Sequence, residues 1–104
     1  MGSKRRVMKS GNLEEKDIKP NPSVVFTDLE DGSAVLLDLD SKFYYSLNET
    51  GCFMWKVFEE DGGIKIEGLV ERLMSDYEVD ESQALQDVEE FVSMLAKEGL
   101  IQLS

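Results

Sequence analysis

The chain has 104 residues, room for one domain, of which 41% are hydrophobic and 32% charged. Its charge of −11 is uneven: residues 1–19 set six bases against three acids (+3), residues 20–104 five bases against nineteen acids (−14). So acidic a body repels phosphate backbones and attracts basic partners, while the lack of a long apolar run, of a signal-peptide pattern and of a second cysteine predicts a cytoplasmic protein with no membrane span and no disulfide.

Residues 1–19 are charge-rich and lack sustained periodicity, which predicts a flexible N-terminal arm. Pro20-Asn21-Pro22 then marks the start of the folded domain, expected over 20–104. Three strands follow. Residues 23–29 contain Val24, Val25 and Phe26, which suit a pleated sheet. Asp31-Gly32 signals a hairpin. Residues 34–39 alternate, with Val35, Leu37 and Leu39 facing one way and Asp38 the other. Asp40-Ser41-Lys42 makes the next turn, and 43–47 is the third strand. Short loops predict an antiparallel meander whose last strand leaves an edge unpaired.

Asn48 stands where that strand passes into a helix, and its side-chain oxygen suits the orphan N–H groups of the first turn. Helix 49–60 is apolar on most sides (Cys52, Phe53, Met54, Trp55, Val57, Phe58), which predicts a central, nearly surrounded element ended by Asp61-Gly62-Gly63. Helix 66–77 aligns Leu69, Val70, Leu73, Met74 and Tyr77 on one stripe. Asp80, three residues before Gln83, resembles a capping box. The helix over 80–98 repeats Ala84, Leu85, Val88, Phe91, Val92 and Leu95 before Gly99 stops it. Residues 100–103 suit a short extra strand. The expected fold class is therefore α+β, a winged helix-turn-helix with a three-stranded antiparallel sheet followed by three helices.

No catalytic constellation accompanies this fold, and the chain is not expected to be an enzyme. The absence of histidine removes the commonest general base and a common metal ligand. Cys52 sits among Phe53, Met54 and Trp55, the setting of a buried, inert thiol. Asp28, Glu30 and Asp31 echo a calcium loop, but its twelfth position would be Leu39 rather than a bidentate glutamate. No metal or cofactor is expected. Trp55 reads as core. Tyr44 and Tyr45 are adjacent on one strand, so their rings point to opposite faces.

The order Phe43-Tyr44-Tyr45-Ser46-Leu47-Asn48, then Gly51, then Trp55 resembles the signature of the PqqD-like family. So do Leu69-Val70, Leu73, Tyr77-Glu78-Val79-Asp80, Asp87-Val88, Phe91, Leu95 and Gly99-Leu100-Ile101, and the similarity spans about 22–103. Thr50-Gly51 and Gly99-Leu100 stand where members serving pyrroloquinoline quinone synthesis carry Ser-Ala and Gly-Trp, which places the chain nearer the broader group. The resemblance implies a precursor-peptide recognition element. Such a module is a non-enzymatic peptide chaperone: it binds the leader of a ribosomally made precursor peptide by strand addition and presents it to a modifying enzyme, often a radical S-adenosylmethionine enzyme. Carried onto this chain, the peptide-binding residues are Phe43, Tyr44, Tyr45, Ser46 and Leu47 on the strand, with Asp87, Val88, Phe91 and Met94 on the last helix. Leu85, Val92 and Leu95 are assigned to the core.

Two rival readings follow from the same outline. A winged helix-turn-helix could be a DNA-binding regulator, but residues 80–98 offer only Lys97 against six acids, so nucleic acid is not the expected partner. An open edge strand could instead pair with a second copy and form a homodimer.

Overall fold

The computed structural model describes residues 16–104. Five strands and three helices follow in the order β1 (Ile18–Pro20), β2 (Val24–Asp28), β3 (Ala34–Asp38), β4 (Tyr44–Leu47), α1 (Glu49–Asp61), α2 (Ile66–Asp76), α3 (Glu81–Lys97) and β5 (Ile101–Leu103). β2, β3 and β4 form an antiparallel meander in that spatial order, and β1 pairs antiparallel with β5 in a second, two-stranded sheet. A three-stranded antiparallel sheet followed by three helices is thus the main body, an α+β fold compatible with the winged helix-turn-helix outline.

The expected arm over 1–19 lies, for residues 1–15, outside the described residues. Its last residues are strand rather than arm. Ile18 is fully buried and exchanges backbone hydrogen bonds with Ile64 at 2.8 and 3.3 Å, while Asp17 exchanges a pair with Ser104 at 2.8 and 3.1 Å. Local composition conceals this because the partners lie at the far end of the chain. Asn21 completes the closure: its amide donates to the carbonyl of Gly99 at 2.9 Å and its backbone N–H to Leu100 at 3.0 Å.

Alternation along β3 holds, but the core takes the other face. Ala34, Leu36 and Asp38 are buried, Val35 and Leu37 are half-buried, and Leu39 is exposed. Asp38 tolerates burial because its carboxylate accepts the N–H of Asp40 at 3.0 Å, closing the turn before β4. The outer sheet face is left with the cross-strand row Val25, Leu37 and Tyr44.

α1 is the hub. Asn48 caps it as expected, accepting the N–H of Gly51 at 2.9 Å, and Gly62 ends it in the left-handed conformation at φ 68°. Gly51, Cys52, Met54, Trp55, Val57 and Phe58 are all buried. Trp55 is wholly enclosed, and its indole N–H donates to Glu59 Oε2 at 3.0 Å, so the ring is buried without an orphaned donor. Phe58 meets Trp55 edge-on at 5.9 Å and stacks on Phe91 of α3 at 6.2 Å.

α3 begins at Asp80, whose carboxylate accepts the Gln83 N–H at 2.8 Å. Gln83 does not return the bond. Its amide donates to Asp87 instead, so half of the expected box forms. Ala84, Val88, Val92 and Leu95 make the buried stripe of α3. Leu85, assigned to the core from sequence, is half-buried at its margin.

Candidate functional site

Geometry of the edge follows from one hydrogen bond. The Asp38 N–H donates to the Phe43 carbonyl at 3.0 Å, and the register pairs Leu36 with Tyr45 and Ala34 with Leu47. Antiparallel ladders alternate bonded and non-bonded pairs. The Phe43 carbonyl and the backbone groups of residues 45 and 47 therefore serve β3, while the Phe43 N–H donates to Ser41 Oγ at 3.3 Å and Tyr44 and Ser46 turn their backbone groups away from β3. No described strand lies on that side of β4. An edge of this kind is a template for another extended chain.

Side chains sort the other way. Tyr45 and Leu47 share the inner face with Leu36 and Ala34, and Tyr44 and Ser46 share the outer face. Leu47 is buried, whereas Tyr44 is 72% exposed and Phe43 63%. The Tyr45 hydroxyl donates to Glu98 Oε1 at 3.1 Å and so ties the edge strand to the end of α3. Burial first, and then that carboxylate, push the Tyr45 phenol above its usual range.

Beyond this tie the space between the β4–α1 joint and α3 opens into a groove. One part, about 510 Å³, is lined by Ser46, Leu47, Asn48, Gly51, Phe91 and Met94. It continues into a second hollow of about 320 Å³, where Thr50, Met54, Asp87 and Glu90 join Asn48, Gly51, Phe91 and Met94. The floor is apolar and one wall is acidic. A Cβ on Gly51 would stand 3.2 Å from Phe91 Cε1 and 3.5 Å from Leu47 Cβ, so any side chain here would press on the Phe91 ring.

Of the residues expected from sequence, the structure gathers Ser46, Leu47, Asp87, Phe91 and Met94 around the groove, while Tyr45 is tied to Glu98. Phe43 and Tyr44 project elsewhere. Val88 is a correction: it belongs to the buried stripe of α3, is fully enclosed, and offers the groove no surface. Sequence reasoning missed Asn48, Thr50, Gly51, Met54 and Glu90. Asn48 already stood out as a helix cap and Gly51 as part of the family signature, but the cap explained Asn48 completely and hid its second role.

Cys52 is buried and its thiol is pushed up, first by burial. Among the described residues no three histidine, cysteine or carboxylate side chains converge as a metal ion requires, and no helix is long and apolar enough to cross a membrane.

The family model described as coenzyme PQQ synthesis protein D (PqqD) matches residues 33–101. Among solved structures, the chain is similar to TbiB1 in complex with the TbiA(beta) leader peptide, at 28% identity and a TM-score of 0.73, covering 81% of this chain and 94% of that one. It is also similar to lasso peptide synthetase B1 complexed with the leader peptide, at 25% identity and a TM-score of 0.69, covering 82% of this chain and 96% of that one. No curated protein matches it.

Proposed function

This chain belongs to the PqqD family, and from that premise we propose that it is a leader-peptide-binding chaperone of a ribosomally made, enzymatically modified peptide. The carrying observation is the unpaired side of β4, with Tyr44 and Ser46 presenting outward backbone groups beside the groove of Phe91 and Met94. A guest strand added there gains backbone hydrogen bonds from the edge and side-chain selection from the groove. Both similar structures named above are complexes with leader peptides, which supports leader binding by this chain.

The leader would run along β4 over Ser46 and Leu47, with one face of side chains entering between Gly51 and Phe91–Met94. Asp87 and Glu90 on the wall favour lysine or arginine beside the apolar anchors. The chain carries out no chemistry of its own in this reading. It delivers the peptide in the cytoplasm to a modifying enzyme, with a radical S-adenosylmethionine enzyme as the first candidate. A DNA-binding role finds no support: α3 carries Glu81, Asp87, Glu89 and Glu90 and only Lys97 as a base. Edge-to-edge pairing of two copies would use the same side of β4 and compete with the leader.

The test is titration of isotope-labelled protein with leader peptides, the TbiA(beta) leader first and then those of precursors encoded beside this chain. Amides of residues 44–48 and 87–94 should shift together. Saturable binding that leaves both segments unmoved overturns the assigned site.

A further inference from the structure

α3 has a second flank. Opposite the groove above, α2 and α3 diverge around a cleft of about 640 Å³ lined by Ile66, Val70, Met74 and Leu85, with Glu67, Glu71, Glu81 and Lys65 at its rim. Successive helical residues turn by about 100°, so Glu81 and Leu85 point to one side of α3 while Asp87, Glu90, Phe91 and Met94 point to the other. The buried stripe of Ala84, Val88, Val92 and Leu95 separates the two hollows. Both can therefore be filled at once.

The rim has one sign. Lys65, the single base among the lining residues, is already committed to Asp17, with Nζ 2.8 Å from Oδ1. Glu67, Glu71 and Glu81 form no ion pair among the described residues. The apolar floor is accessible at Met74, which is 39% exposed, and at half-buried Leu85, with Ile66 and Val70 buried beneath them. An open apolar cleft between two helices, rimmed by carboxylates that have no ion pair among the described residues, fits a helix-in-groove ligand with basic flanks.

We propose that the α2–α3 cleft is a docking site for a basic amphipathic segment of a partner protein, in which one or two large apolar side chains enter between Val70, Met74 and Leu85 while lysines or arginines meet Glu67, Glu71 and Glu81. The proposal rests on the chaperone reading in one respect: a protein that holds a leader on β4 and hands it to an enzyme needs a separate surface for that enzyme. The modifying enzyme is accordingly the occupant assigned.

The probe is a designed helical peptide of leucine and lysine with its leucine–glutamate counterpart as control, titrated into isotope-labelled full chain. The leucine–lysine peptide should move amides of 65–74 and 81–85, leave 44–48 unmoved, and bind more weakly as salt rises. The double variant Glu67→Lys/Glu71→Lys, at surface positions where folding is unaffected, should lose affinity by about tenfold or more and gain affinity for the leucine–glutamate peptide. Unchanged affinity in that variant, or shifts centred on 44–51 and 87–94, overturns the proposal. So does a dimer in sedimentation that the same variant dissociates, because a second copy would then occupy the cleft. Leader titration reads a different set of amides, so failure at one surface is distinguishable from failure at the other.

Discussion

β1 and β4 are both short strands at the margin of a small sheet, yet their backbones meet opposite fates. β1 has β5 on one side and Ile64 on the other; Ile18 exchanges both of its backbone hydrogen bonds with Ile64 and has no exposed surface. β4 has β3 on one side and no described strand on the other. The first closes the chain ends onto the hub of the fold, and the second leaves backbone donors and acceptors for a guest. Strand length and composition do not separate a staple from a docking edge. The neighbours do.

The contrast breaks most visibly at Ile18. Ile18→Ala removes a fully buried side chain and should cost about 2–4 kcal/mol, read as a lowered urea midpoint, while leader affinity of the folded fraction stays unchanged. A loss of affinity larger than the loss of folded protein would mean that the staple shapes the groove.

Ser46→Pro should do the reverse. Its N–H faces away from β3, so proline removes no internal bond and is tolerated on the edge. Leader affinity should fall about tenfold by calorimetry, the equivalent of one backbone hydrogen bond and some steric hindrance. Thermal stability should hold. Tyr45→Pro is the sharpening control: by the same alternation its N–H serves Leu36, so that variant should lose stability as well as binding.

A smaller effect is expected from Gly51→Ala. Helix propensity gains about 1 kcal/mol, but the new methyl 3.2 Å from Phe91 must displace that ring. Stability should be nearly neutral and leader affinity reduced about threefold, with the Phe91 ring signals shifted in the free protein.

The smallest differences are in pH response, and they have opposite signs. Asp17 is held below its usual range, first by the hydrogen bond from Lys65 and then by that charge. Its contribution is present above the ordinary carboxylate pKa and is lost as pH falls through the depressed value. Tyr45 is raised, first by burial and then by Glu98. Its contribution is present below the ordinary phenol pKa of about 10 and is lost as pH rises through the raised value. Amides near β1 should therefore respond to Asp17 only below the usual carboxylate range as acid is added, and amides near β4 to Tyr45 only above the usual phenol range as alkali is added, as seen by amide shifts across a pH series.

Much of this architecture was legible beforehand. Asn48 and Asp80 announce the starts of α1 and α3, and Gly62 and Gly99 their ends, because capping is chemistry among residues a few positions apart. The apolar surround of α1 and the stripe of α3 are equally local. For the candidate site, Phe91 and Met94 could be chosen as groove residues, but Val88 could not be told from them. A helical period defines a stripe and leaves open how a neighbouring helix divides it.

By itself, the sequence determined where elements begin and end, which strand comes last in the meander, the acidity of the body and the absence of a histidine-based active site. Only the tertiary structure decided that β3 buries Ala34, Leu36 and Asp38, that Ile18 pairs across the length of the chain, and that α3 has two separate hollows. The physical reason is common to all three. Periodicity gives an element two faces, but burial is assigned by whichever distant segment packs against it, and no local pattern names that segment.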